Sequence, residues 1–202
     1  GVADREIRKD PEIKTWEKLA NFFTPLAKYY NSELCNQIAF DAIQIHGGSG
    51  FTEEYDAARI YRDARITNIY EGTTQLQMHA AIGGATAGMT ATGHVRAYID
   101  EELASMSASP ELLEVRDLFE KIVEAYRTIE GSDNKESHAF ETVEAAARFI
   151  NGLLLERSIT RMQGAEAERF KKMAVQYNLD SKALLTGNLI KVETGARVAV
   201  PA

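Results

Sequence analysis

From Ile13 to Ile45 the apolar residues return in steps of three and four, through Trp16, Ala20, Phe23, Ala27, Tyr30, Leu34, Ile38 and Ala42. That period lays them along one stripe of an α-helix. A chain carrying so long a stripe must cover it with other elements, and the remaining sequence supplies helices to do so. No segment alternates with the period of two that a strand needs. Thr24-Pro25 interrupts the stripe, and Thr at an N-cap with Pro as first helical residue is a common helix start. The spacing therefore predicts a short helix to about Phe23 and a long one from Pro25 to His46, stopped by Gly47-Gly48.

The rest of the chain reads as further helices. Ser49 to Tyr55 is a polar turn, and Asp56 caps a helix from Ala57 to about Ile66. Thr67 to Thr73 is a connection. Thr74-Gln75-Leu76-Gln77 has the form of a capping box opening a helix that fades at Gly83-Gly84. The small-residue stretch from Gly83 to Gly93 marks a boundary between a helical bundle, 1–93, and a helical extension, 94–202. In the extension, helices are expected from Val95 to about Leu103 and from Ser109-Pro110 to Glu130. The turn at Gly131 to Asn134 leads to a long helix through Phe140 and Leu154, ending near Gly164. Phe170, Met173, Ala174 and Tyr177 mark one more. The last twenty residues carry no clear pattern. The fold class is all-α, an antiparallel helical bundle with a second helical layer.

Composition narrows the function. A net charge of −7 argues against a binder of phosphate backbones, which shows a basic face. No apolar run is long enough to span a bilayer, and the amino terminus has no apolar signal region, so a cytoplasmic protein is the default. The single cysteine, Cys35, allows no internal disulfide. Its apolar neighbours on a helical pattern predict a small buried hydrophobe. His46, His79, His94 and His138 have no metal-ligand spacing, so no metal site is expected.

The informative block runs from Gln44 to Gln77: QIHGGSGFTEEYDAARIYRDARITNIYEGTTQLQ. Taken singly, its parts have plain structural readings. Gly47, Gly48 and Gly50 are a helix stop and a turn. Glu71 is an acidic residue just before a helix amino terminus, favoured by the macrodipole. Arg59 and Asp63 stand four apart, as in a helical ion pair. Thr73 serves equally as a helix-start residue. In order and together, however, the block resembles the signature of the acyl-CoA dehydrogenase family. The matching marks are Gln44 before the paired glycines, Gly48-Ser49-Gly50-Phe51, Glu54-Tyr55, Arg62-Asp63-Ala64-Arg65-Ile66 and Tyr70-Glu71-Gly72-Thr73. The likeness reaches back through AKYYNSELC and covers roughly Pro25 to Ile82. Two positions depart from the family pattern: Asp56 replaces a proline, and Met78 stands where an arginine is usual.

The resemblance implies dehydrogenation between the α and β carbons of an acyl-CoA thioester with FAD as cofactor. On the matching position Glu71 takes the α-proton while flavin N5 accepts the β-hydride. A carboxylate in water is a poor base for a carbon acid, and desolvation beside an apolar acyl chain strengthens it. The Glu71 N–H would donate to the thioester carbonyl and stabilise the developing negative charge. Tyr70 would wall the substrate pocket, and Gly72 would permit unusual dihedrals and a close substrate approach. In the family, residues matching Gln44, Gly47 and Gly48 touch the adenosine diphosphate part of a flavin held mainly by a neighbouring subunit. Those matching Thr73 and Gln75 contact a flavin from the other side of the site. A homo-oligomer and an electron-transfer flavoprotein as acceptor are implied in turn. Complete members carry an amino-terminal helical domain, a β-domain with most of the flavin contacts, and one more bundle helix before this region. The chain is thus expected to be a fragment, inactive alone. Two other readings stay open. One is an acyl-CoA oxidase of the same superfamily, distinguished by peroxide production. The other is a non-catalytic helical interaction module, which would tolerate loss of Glu71.

Overall fold

The computed structural model describes residues 2–195, and every regular element among them is helical. In order these are α1 (Val2–Ile7), α2 (Ile13–His46), α3 (Gly48–Phe51), α4 (Asp56–Ile66), α5 (Thr74–Thr86), α6 (His94–Ala104), α7 (Pro110–Thr128), α8 (Ser132–Ser137), α9 (Ala139–Ile159) and α10 (Gly164–Thr194). A single 3-10 turn, Ala87–Met89, follows α5. The all-α expectation holds. None of these helices is long and apolar enough to cross a membrane.

Helix α2 differs from its expected form. It runs unbroken for 34 residues with Pro25 inside it. An interior proline removes one backbone hydrogen bond and costs about 3 kcal/mol. Around it, Leu19, Phe22, Leu26 and Tyr29 are all buried. Each such burial is worth about 1.5–3 kcal/mol, so together they outweigh the break and hold the axis through. The buried face also lies one residue away from the expected stripe. Farther on, Leu34, Ile38 and Ile45 are 44%, 58% and 83% exposed. The period was legible, but the facing was not, because the second half of the helix meets covering elements along a narrower face.

Other boundaries shift for local reasons. The expected turn after Gly47 contains the one-turn helix α3. Asp56 is the first residue of α4 rather than its cap, a position held by Tyr55. Thr73, not Thr74, caps α5, accepting from the Leu76 N–H at 3.5 Å. Helix α5 does not fade at Gly83-Gly84 but continues to Thr86. The short helix α8 precedes α9, and α10 extends through most of the stretch that lacked a pattern. Residues 196–202 of that stretch lie outside the described residues. Ser109 caps α7 as its sequence suggests, accepting from Leu112 N–H at 3.1 Å.

One apolar cluster runs through the whole, from Phe22 and Met78 through Met89, Val95, Ile99, Leu112, Phe119, Phe149 and Leu153 to Leu185. Helix α5 packs on α2 and on α9, and α10 covers α7 and α9. A polar knot ties the second layer together. Buried Glu156 of α9 accepts from the Ser109 N–H at 2.9 Å, the Ser109 hydroxyl at 2.5 Å and the Asn178 side-chain amide at 2.8 Å. Glu156 is here an acceptor only, and its two neighbours point three donors at it. Glu156→Gln keeps the volume but turns one acceptor into a donor facing a donor. Hydrogen bonds to a charged group contribute about 1.5–3 kcal/mol each, so a loss of about 2 kcal/mol is expected. For a chain of this size that lowers the thermal midpoint by roughly 4–8 °C. A melt that overlays the unmodified chain would show the knot to be idle.

Candidate active site

The connection between α4 and α5 is held by side chains from both sides. Buried Asn68 donates through its amide to Glu33 Oε1 at 2.6 Å and accepts from the Asn36 amide. Asn36 also donates to the Ala64 carbonyl at 3.0 Å, where α4 ends. The Thr74 hydroxyl donates to the same Glu33 oxygen at 2.5 Å, and the Thr74 N–H to the Asn68 carbonyl at 3.2 Å. Lys28 Nζ donates to the carbonyls of Thr67 and Gly72, the latter at 3.2 Å. Gln77 Nε2 donates to the Glu71 carbonyl at 2.8 Å.

So fastened, the chain reverses through two successive left-handed residues, Glu71 at φ 50° and Gly72 at φ 95°. The φ of Gly72 favours glycine, and a Cβ there would also displace the end of the Gln77 side chain, 2.6 Å away. Glu71 has no such freedom. A side chain in this region costs about 1–2 kcal/mol, and such strain persists only where the surroundings over-determine it.

Tyr70 and Glu71 form one wall of an open groove of about 340 Å³. The facing wall is α2, through Ala27, Lys28, Asn31, Ser32 and Cys35. Glu71 and Tyr70 are both exposed to it. The Glu71 N–H makes no hydrogen bond among the described residues. Cys35 is exposed rather than buried, because its face of α2 lines the groove instead of the core.

The remaining expected site residues fall into two other places. Thr73 and Gln75 line a separate polar cavity of about 570 Å³ with Glu33, Asn36, Tyr61, Arg65, Asn68 and Thr74. Gln44, Gly47 and Gly48 sit at the far end of α2. Gln44 is nine residues beyond Cys35, about 14 Å along the helix axis. There Gly47 takes φ 60° and its N–H returns to the Gln44 carbonyl at 3.1 Å, while Gly50 N–H bonds the Gly47 carbonyl at 3.0 Å. A Cβ on Gly47 or Gly48 would meet nothing within 4 Å, so the turn is open on that side.

Arg59 and Arg62 of α4 are engaged in ion pairs, though not the expected one. Arg59 pairs with Asp56 at 2.9 Å rather than with Asp63. In the first turn the Asp56 carboxylate also gains from the helix dipole, which favours this partner. Arg62 grips Glu53 with two bonds of 2.9 and 3.0 Å, and that side-chain hydrogen bond holds the Glu53 carboxyl below its ordinary range. Met78 is buried in the core.

Lys28, Glu33, Asn36, Asn68 and Gln77 were not among the residues expected to matter. A signal existed: Lys28, Ser32 and Asn36 recur every four residues, a polar stripe beside the apolar one. A helix with two such stripes packs a polar surface as well as a core.

Residues 15–85 match the family described as acyl-CoA dehydrogenase, C-terminal domain. Subunit CarC of the caffeyl-CoA reductase–Etf complex of Acetobacterium woodii is 52% identical over 58 residues, 29% of this chain and 15% of that protein. The 3-methylmercaptopropionyl-CoA dehydrogenase of Ruegeria pomeroyi is 46% identical over 67 residues, 33% of this chain and 11% of that protein. The mitochondrial long-chain specific acyl-CoA dehydrogenase of Sus scrofa is 45% identical over 65 residues, 32% of this chain and 15% of that protein. The chain therefore spans only about a seventh of the length of these curated relatives. Residues 15–85 carry most of α2, the glycine turn and the Glu71 connection, and over that stretch the chain matches the C-terminal domain of the acyl-CoA dehydrogenase family.

Proposed function

We propose that this chain is the carboxy-terminal part of a flavin-dependent acyl-CoA dehydrogenase, with Glu71 as the base that removes the α-proton of an acyl-CoA thioester. The observation that carries this reading is the strained, over-determined backbone at Glu71, an exposed residue that lines an open groove. A solvated acidic residue before a helix needs no left-handed backbone and no four tethers. Strain of this kind is characteristic of sites where a side chain must be aimed.

The chemistry follows from what the residues present. Glu71 accepts the α-proton, a role in which a positioned base contributes roughly 10²–10⁴-fold. Its unengaged N–H is a preorganised donor for the thioester oxygen as negative charge develops there. Tyr70, beside it, excludes water from the reacting carbons. A flavin, when bound, supplies the acceptor for the hydride that leaves the β-carbon. In the reductive direction, the one named for CarC, the protonated Glu71 returns its proton to the α-carbon.

The residues assigned to FAD fit a supporting role. The Gly47-Gly48 turn has open space beside it for a pyrophosphate, while the amides of Gly47 and Gly50 are already used internally. Thr73 accepts from Leu76 and keeps its hydroxyl proton to donate, and Gln75 lines the same polar cavity. Gln44 adds an exposed amide near the turn. These are a few neutral contacts, which supports the further proposal that other domains and a second subunit hold most of the flavin. Exposed Leu34, Ile38, Ile45, Phe51 and Leu76 support burial of this side in a homo-oligomer. An electron-transfer flavoprotein as redox partner is proposed in line with the Etf complex named for CarC. We place the enzyme in the cytoplasm, with residues 1–93 as the catalytic bundle and 94–202 as an added helical layer.

The test is anaerobic mixing of the full-length enzyme with acyl-CoA thioesters, with bleaching of the flavin band expected. A flavin-free protein, or one whose flavin no acyl-CoA reduces, would overturn the proposal. The 202-residue chain alone is expected to be inactive and to bind flavin weakly. Each neutral hydrogen bond contributes about 0.5–1.5 kcal/mol net, against about 4–15 kcal/mol of lost freedom on association. Micromolar flavin binding by calorimetry would show that this part holds far more of the cofactor.

A further inference from the structure

We infer that Lys28 is a positioning residue for the proton-transfer step, acting through the backbone on either side of Glu71; the inference rests on the assignment of Glu71 as base. Half-buried Lys28 comes from the middle of α2, a rigid element anchored in the core by Leu26 and Tyr29 on its neighbouring face. Its ammonium donates to the Thr67 carbonyl, where the connection leaves α4, and to the Gly72 carbonyl, just after the base. The same nitrogen lies 5.1 Å from the centre of the Tyr70 ring, a cation–π distance. One group thus grips the connection at its start, immediately before Glu71 and immediately after it. Among the described residues Lys28 forms no ion pair, so its donors are directed to these carbonyls. Gln77 holds only the Glu71 carbonyl itself. Without Lys28 the left-handed pair at 71–72 loses the contact that bridges both ends of the turn, and the carboxylate is free to wander from the α-carbon.

A loss of about 1 Å in placement can slow a step by as much as roughly 100-fold. The full-length enzyme carrying Lys28→Met is therefore expected to keep its flavin and its acyl-CoA dissociation constant. Flavin reduction should slow roughly 10–100-fold, with a larger primary isotope effect from an α-deuterated thioester. Lys28→Arg can still donate to two carbonyls and should recover most of the rate. Lys28→Gln, too short to span both, should remain slow, and it serves as the test if the methionine variant does not fold. A merely structural lysine would lower the melting temperature and leave the reduction rate and isotope effect unchanged. That result in any folded Lys28→Met or Lys28→Gln protein overturns the inference, as does a rate loss that acyl-CoA saturation restores. Glu71→Gln measured alongside separates the two levels. A normal rate in that variant removes the base assignment itself, whereas a dead Glu71→Gln beside a normal Lys28→Met removes only the role of Lys28.

Discussion

Glu71→Gln in the full-length enzyme is expected to leave flavin bound and the fold intact while acyl-CoA no longer bleaches the flavin, the reduction rate falling by about 10²–10⁴-fold or more. The substitution is clean for structural reasons. The tethers around residue 71 all act on main-chain atoms or on neighbours: Gln77 on the Glu71 carbonyl, Lys28 on the Thr67 and Gly72 carbonyls, Asn36 and Glu33 on Asn68. None uses the carboxylate, so an amide of the same shape leaves the turn in place. What changes is the ability to take a proton. Glu71→Gly gives a second, opposite readout. Glycine suits φ 50°, so the variant should be equally inactive but more stable, by about 1 kcal/mol. Activity lost and stability gained at one residue is the signature of strain held for chemistry. Near-normal flavin reduction in the Gln variant would sink the assignment of Glu71, and a less stable Gly variant would remove the argument from strain.

The sequence disclosed the fold class and the location of the reactive segment far better than the details of either. Period and caps were enough for the helices, because Ser109-Pro110 and Gly47 act through local backbone chemistry that any neighbour context preserves. They failed at Pro25 and Gly84, where packing decides. Local rules read a proline as a start and a glycine as a stop, yet burial on α2 overrides the first and close helix approach requires the second. For the site, the Tyr70-Glu71-Gly72-Thr73 run identified the segment by resemblance, but nothing local announces that Glu71 is left-handed. That conformation is imposed by Lys28, more than forty positions upstream, and by Gln77. A single sequence does not reveal such long-range donors, whose only trace was the four-residue spacing of Lys28, Ser32 and Asn36.

The adjacent glycines of α5 should respond to substitution with opposite sign. A Cβ on Gly83 would meet nothing within 4 Å. Gly83→Ala should therefore gain helix propensity without cost, about 0.5–1 kcal/mol. A Cβ on Gly84 would stand 2.3 Å from Cδ2 of Phe22, with Cγ at 2.6 Å and Cβ at 2.7 Å. Phe22 is 2% exposed and has no room to swing away, and Ala81 and Ala85 on the same face of α5 are wholly buried. Small residues on that face are what let α5 lie close against α2. Gly84→Leu must push the two helices apart, an overpacking cost of about 3 kcal/mol or more that any gain in propensity does not offset. The midpoint of thermal unfolding should fall by roughly 6–12 °C, while Gly83→Ala raises it slightly. The strain should also reach the site. Helix α5 begins at Thr74, whose hydroxyl bonds Glu33 of α2, and its Gln77 holds the Glu71 carbonyl. Separating the helices pulls on both bonds, so in the full-length enzyme Gly84→Leu should slow flavin reduction although it lies about 15 Å along α5 from that end. A Gly84→Leu protein that melts and reduces flavin like the parent would mean that α5 does not sit against Phe22 as described.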